Sequence, residues 1–229
     1  MFPLKDNVPT RSFPIVTVTL IAINAAVWIF YQLPDLNGSV VELAYQPCEV
    51  ASSCPPGSAV GEGWEVTWLT SMFMHGSWLH LIGNMLFLWV FGNNVEDAMG
   101  RLRFLAFYLL AGIAATALQT TITLWMGTAA DAAVPNLGAS GAVSGVLGAY
   151  LVLIPHASVL TLVFFFPIEV PAGLFLGFWF LFQLWEGGFS LVNPQAGGGV
   201  AFFAHIGGFV FGAATVRLWI KRPPLQPAY

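Results

Sequence analysis

Residues 138–148 read GASGAVSGVLG, a segment that is apolar and rich in small side chains. Gly141 and Gly145 are four residues apart, so they fall on one face of a helix and allow a second helix to approach closely. Residues 204–213 read AHIGGFVFGA, where Gly208 and Gly212 have the same spacing. These two glycine strips predict a pair of helices in direct contact.

The rest of the chain is as apolar as this pair. Of its 229 residues, 57% are hydrophobic and 8% are charged, whereas about a quarter are charged in a soluble domain. A soluble globular protein is therefore excluded. The net charge is -4 and no basic run is present, which argues against a nucleic-acid partner. We predict an integral membrane protein surrounded by the lipid bilayer.

Hydropathy predicts six segments, and each is expected to be helical because an open strand in lipid leaves backbone groups unpaired. The segments cover about 14–33, 78–97, 102–126, 139–154, 171–187 and 201–220. They predict an all-α, six-transmembrane-helix bundle that forms one domain over residues 1–229. We expect the long connection 34–76 to be a loop in the membrane interface, and residues 159–166 to form an interfacial hairpin before the fifth helix.

Basic residues indicate the orientation, because they favour the cytoplasm when they lie near helix ends. With the six segments above, all of them fall on one side: Lys5, Arg11, Arg101, Arg103, Arg217, Lys221 and Arg222. Both termini are therefore predicted to be cytoplasmic, and we expect a multi-pass protein of a bacterial plasma membrane. Cys48 and Cys54 lie in the long outer connection, either as a small disulfide or as two free thiols.

Four polar residues fall inside the predicted helices, where they are costly in lipid and usually face the protein interior. Counted from the cytoplasmic helix ends at about 1.5 Å per residue, Ser140, His205, Asn84 and His80 lie roughly 20–26 Å deep. Because His80 and Asn84 are four apart, they share one helix face. Three helices thus bring polar groups to one layer.

This layer contains the components of nucleophilic catalysis. His205 would accept the proton of Ser140 and so make its hydroxyl nucleophilic towards a peptide carbonyl. No carboxylate lies at that depth, so we predict a dyad that needs no cofactor. Asn84, His80 and backbone N–H groups at the start of the fourth helix would stabilise the oxyanion. Gly138 and Gly141 are expected to leave room for a substrate backbone.

At these residues the sequence resembles the rhomboid intramembrane serine proteases, from about Trp68 to Gly212. Three ordered motifs carry the resemblance: HGSWLHLIGNMLF with His80 and Asn84, GxSG at Gly138–Gly141, and AHxxGxxxG at Ala204–Gly212. The resemblance implies a six-helix bundle that cleaves transmembrane proteins with a Ser140–His205 dyad and an oxyanion hole at Asn84 and His80. It also implies substrate access near the fifth helix and the following loop, Phe189–Val200.

Two positions depart from the family pattern. Ser144 stands where the family often has a tyrosine under the histidine, and Val66-Thr67 stands where a Trp-Arg pair is common. Two other functions are the alternatives: a catalytically silent relative that binds transmembrane segments, and a small transporter with a polar binding layer, although the internal repeat typical of transporters is lacking. A zinc site at the histidines is disfavoured because no inward carboxylate completes it, so we predict no metal.

Overall fold

Long apolar helices make up most of the structure, a computed structural model that describes residues 2–56, 58, 61–192 and 201–227. In chain order, its elements are β1 (Phe2–Asp6), α1 (Ile15–Ala26, continued by a π-helical segment, Val27–Gln32), α2 (Leu36–Leu43), α3 (Pro47–Val50), α4 (Trp64–Thr70, followed by a 3₁₀ turn, Ser71–Phe73), α5 (Trp78–Met99), α6 (Arg101–Met126), α7 (Ala129–Ala132), α8 (Ser140–Leu153), β2 (Ser158–Val163), β3 (Phe166–Pro171), α9 (Ala172–Val192) and α10 (Phe202–Trp219).

Four helical stretches within the described residues are long and apolar enough to cross a membrane: Ile15–Gln32, Arg101–Met126, Ala172–Leu191 and Phe202–Trp219. The chain is therefore a multi-pass helical membrane protein. Helix α8 has 14 residues and a length of about 21 Å, less than the roughly 30 Å of a hydrocarbon core. Helix α5 is also not among the four stretches. The six membrane crossings therefore stay a prediction.

Helices α8 and α10 pack closely against each other along their glycine strips. A Cβ at Gly208 would overlap the carbonyl oxygen of Gly141, and one at Gly212 would overlap that of Gly145. The two backbones therefore touch directly, which confirms the predicted pairing. The contact matters because it fixes the first residues of α10 beside the first residues of α8.

The connection between α1 and α5 is more ordered than the predicted loop. It contains three short helices, α2, α3 and α4, before the chain enters α5. Cys48 and Cys54 form a disulfide, which decides between the two alternatives that the sequence left open. The interfacial location of this connection stays a prediction.

The expected hairpin is present, but a third strand joins it and makes a three-stranded sheet. Strands β2 and β3 form an antiparallel hairpin, but β3 continues to Pro171, beyond the predicted limit at residue 166. Strand β1 pairs antiparallel with β2, with Phe2 opposite Leu162 and Asp6 opposite Val159. The all-α prediction was wrong here, because residues 2–6 find their partner strand more than 150 positions away in the sequence.

Buried carboxylates hold both ends of the chain at what we call the basal end, defined by Arg11, Asp97 and Arg222. Asp97 accepts hydrogen bonds from the Arg11 guanidinium at 2.8 Å and from the Arg222 guanidinium at 2.9 Å. Its neighbour Glu96 accepts the backbone N–H of Val16 at 3.0 Å and that of Thr17 at 2.8 Å, which caps the start of α1.

Candidate active site

Ser140 and His205 are in direct contact. The Ser140 hydroxyl lies 2.8 Å from Nε2 of the His205 imidazole. Ser140 is the first residue of α8, and His205 lies in the first turn of α10. The close packing of α8 against α10 brings the two residues together, as the glycine spacing predicts.

Asn84 and His80 face the same space as this pair. Ser77 begins α5 by accepting the backbone N–H of His80 at 3.1 Å, so His80 lies in the first helical turn and Asn84 one turn later. All four predicted polar residues line one cavity of about 600 Å³. Asn84 is 8% exposed, and its Nδ2 has no hydrogen-bond partner among the described residues.

The ring of His80 is oriented by the backbone. The N–H of Gly76 donates to His80 Nδ1 at 3.3 Å. With Nδ1 as the acceptor, the ring carries its proton on Nε2, which is then a donor. A Cβ at Gly138 would lie 2.8 Å from His80 Nε2, so this nitrogen lies against the residues just before Ser140.

The two glycines of the GxSG motif have packing roles that differ from the expected room for substrate. Gly138 has φ +128, a backbone conformation that favours glycine, and the space beside it is taken by His80. A Cβ at Gly141 would lie 2.6 Å from the Cβ of Ala115 in α6. The protein itself therefore fills the space next to both glycines.

Two residues of α9 contact His205, and the sequence reasoning missed both. Oε1 of Gln183 lies 2.8 Å from His205 Nδ1. The Trp179 ring lies 6.0 Å from the imidazole, centroid to centroid, at an interplanar angle of 37°. Ser144, at the family's tyrosine position, donates its hydroxyl to the Ser140 carbonyl at 2.6 Å instead. A glutamine within an apolar helix was a usable signal, because such residues usually face the protein interior.

His75 lies behind this layer, where it is fully buried. Its ring packs edge-on against His80 with centroids 5.1 Å apart, and neither ring nitrogen has a hydrogen-bond partner among the described residues. Burial, together with the nearby His80, lowers the pKa of His75 to about 3. In the described part of the chain, no three His, Cys, Asp or Glu side chains are grouped as metal ligands.

The implied route of substrate access is only partly described. Phe189 belongs to α9, whose bounds are Ala172–Val192. Residues 193–200 of the predicted access loop lie outside the described residues.

Comparison with known proteins gives one consistent family. A family profile for the Rhomboid domain matches residues 61–222. The chain is 31% identical over 195 residues to "Rhomboid protein 1, mitochondrial" of Saccharomyces cerevisiae, covering 84% of this chain and 50% of that protein. It is 31% identical over 221 residues to "Presenilin-associated rhomboid-like protein A, mitochondrial" of Danio rerio, with 91% and 50% covered.

A bacterial relative is also similar. The chain is 31% identical over 156 residues to "Putative rhomboid protease YdcA" of Bacillus subtilis, covering 67% of this chain and 70% of that protein. The chain spans about half the length of the two mitochondrial relatives.

Proposed function

Since the chain belongs to the rhomboid family, we propose that it is an intramembrane serine endopeptidase that cleaves transmembrane proteins. The observation that carries the proposal is the 2.8 Å contact between the Ser140 hydroxyl and His205 Nε2. A serine hydroxyl within hydrogen-bond reach of an imidazole is the arrangement that general-base activation of a nucleophile needs.

The reaction proceeds through an acyl-enzyme. Oγ of Ser140 attacks the carbonyl carbon of a peptide bond while its proton passes to His205 Nε2. The tetrahedral intermediate collapses, the C–N bond breaks, and the departing amine takes the proton from His205. Water then attacks the Ser140 ester and gives a proton to His205, after which the carboxylic acid leaves and Ser140 recovers its proton. No cofactor takes part.

Three sources of N–H groups would stabilise the oxyanion. Asn84 and His80 line the same cavity as Ser140. Nδ2 of Asn84 has no hydrogen-bond partner among the described residues, and the His80 ring carries its proton on Nε2. The backbone N–H groups in the first turn of α8 are the third source, because the first N–H groups of a helix have no partner within that helix. These donors act where negative charge develops, and each contributes more in a site shielded from bulk water.

The cavity also supplies the water for hydrolysis. Its volume of about 600 Å³ holds several water molecules, since one occupies about 30 Å³ in the liquid. Ser140 lines this cavity, so water in it would be within reach of the acyl-enzyme.

We further propose that both termini are cytoplasmic. The predicted bacterial plasma membrane is not supported, because two of the relatives are mitochondrial.

The test is cleavage of a panel of single-span substrates by the full chain in lipid vesicles. We expect wild-type protein to cleave at least one substrate, Ser140→Ala and His205→Ala to lose this activity, and the matched serine control Ser12→Ala, at the exposed Ser12 before α1, to keep it. Equal cleavage by wild type and Ser140→Ala would overturn the proposal.

A serine-reactive phosphonate gives a readout that needs no substrate. We expect wild type and Ser12→Ala to be labelled, and Ser140→Ala and His205→Ala to lose the label. Wild-type protein that binds single-span segments but neither cleaves them nor reacts with the phosphonate would establish the catalytically silent alternative. Saturable uptake of a solute by the vesicles, without cleavage, would establish the transporter.

A further inference from the structure

Gln183 stands on the far side of His205 from Ser140. It is 5% exposed, and its Oε1 lies 2.8 Å from His205 Nδ1, while Nε2 of the same ring lies 2.8 Å from the Ser140 hydroxyl. Serine, imidazole and amide thus form one chain of hydrogen bonds across α8, α10 and α9. Among the described residues, no carboxylate contacts this imidazole.

The chemistry of the amide oxygen gives this contact a direction. A carbonyl oxygen only accepts hydrogen bonds, so His205 must donate from Nδ1. The lone pair of the neutral ring then lies on Nε2, facing the hydroxyl that it must deprotonate. With the other tautomer, Nε2 would point an N–H at Ser140 and would be unable to accept its proton.

Trp179 restrains the same ring from its face. It lies one helical turn before Gln183 on α9 and is tilted against the imidazole at 6.0 Å. Ser144 on α8 makes no such contact, because its hydroxyl is bonded to the Ser140 carbonyl. Helix α9 therefore provides both the hydrogen bond and the ring contact that orient His205.

We propose that Gln183 is a positioning residue that holds His205 in the Nδ1–H tautomer, in the place where many serine hydrolases use a carboxylate. This inference rests on the proposed function. Because Gln183 acts through the ring and not on the substrate, its loss should lower kcat and leave KM near its wild-type value. The fall is expected to be at least about 10- to 100-fold, the loss typical when the partner that orients a metal-binding histidine is removed.

The direct test is ¹⁵N NMR of histidine-labelled full chain in lipid nanodiscs, with the His205 signals assigned from His205→Ala. We expect a protonated Nδ1 and an unprotonated Nε2 in wild type. In Gln183→Leu this preference should be lost, whereas Gln183→Glu should keep it because a carboxylate also accepts. Gln119→Leu is the matched control, since it removes another glutamine near α10 whose Oε1 accepts the backbone N–H of Ala204 and leaves the ring alone.

Kinetics provide the second readout. Gln183→Glu should retain activity and move the acid limb of the kcat profile to higher pH, because a carboxylate beside the ring favours the imidazolium. Gln183→Leu should lose kcat at every pH, and Gln119→Leu should keep the wild-type acid limb.

An unchanged His205 tautomer in a folded Gln183→Leu variant would overturn the inference, and so would an unchanged kcat in that variant. The NMR result does not require cleavage. If the proposed function failed, a wild-type tautomer fixed by Gln183 would still be observed, so the two failures are distinguishable.

Discussion

The basal end and the cavity both bury polar groups, but these groups differ in whether they have hydrogen-bond partners. At the basal end, Glu96 and Asp97 are 3% and 4% exposed and accept hydrogen bonds from both terminal segments. At the cavity, Asn84 is 8% exposed and its Nδ2 lacks a hydrogen-bond partner among the described residues. A buried group without a partner is unfavourable. The hydrogen bonds of the basal end thus hold the chain, whereas Asn84 at the cavity keeps an N–H group without a partner among the described residues.

The largest expected effect is the loss of kcat in Asn84→Ala. Nδ2 of Asn84 has no hydrogen-bond partner among the described residues. Asn84→Ala therefore breaks no hydrogen bond of this atom and should leave thermal stability near that of wild type. Its loss as an oxyanion donor should lower kcat by about 10²- to 10³-fold, which corresponds to about 2.7–4 kcal/mol. Cleavage rates and thermal unfolding, measured on the same sample, check both parts.

The matched control is Asn94 on the same helix. Asn94 Nδ2 donates to the Asp6 carboxylate at 2.6 Å, so Asn94→Ala removes a hydrogen bond that is made. It should lower the stability by about 1–3 kcal/mol and leave kcat unchanged. If Asn84→Ala also unfolded readily while remaining active, the distinction between the two ends would be wrong.

Asp97 should have the next largest effect, and on stability alone. Asp97→Ala leaves Arg11 and Arg222 without their carboxylate. Hydrogen bonds to charged groups contribute about 1.5–3 kcal/mol, but both arginines are partly exposed, and we expect a loss of about 2 kcal/mol in total. Denaturant unfolding in mild detergent measures it.

Glu169→Ala is the control for Asp97, because it removes an exposed carboxylate of β3 and should change the stability by less than about 0.5 kcal/mol. Equal stability losses in Asp97→Ala and Glu169→Ala would show that the ion pairs of Asp97 do not hold the terminal segments.

The sequence could predict the features that depend on local helix patterns, but not those that depend on contacts between distant segments. The sequence could bring Ser140, His205, Asn84 and His80 to one layer, because helical rise and hydropathy are local and regular, and the structure has all four lining one cavity. Gln183 was accessible by the same rule, but its contact with His205 depends on how α9 is rotated against α10, which a single sequence does not contain. Pairing of β1 with β2 joins segments that are distant in the sequence, and no local pattern encodes it.

The smallest expected effect is the pH dependence of β1 docking. The carboxylate of Asp6 accepts hydrogen bonds from Asn94 and from the Tyr150 hydroxyl. Burial raises its pKa above the usual 3.8, although these hydrogen bonds oppose the shift. The folded state therefore binds this proton more tightly than the unfolded state, and the stability from Asp6 is greatest at low pH. It is lost as the pH rises from 3.8 through the raised pKa.

The measurement is the difference in Tm between wild type and Asp6→Asn across this pH window, where the difference should fall as pH rises. Asp131 provides a control of opposite sign, because hydrogen bonds from the Thr128 side chain and backbone lower the pKa of its carboxyl. Stability from Asp131 is present above 3.8 and is lost as the pH falls through the lowered pKa. A Tm difference for Asp6→Asn that rises with pH, as expected for Asp131→Asn, would mean that hydrogen bonds rather than burial dominate the pKa of Asp6.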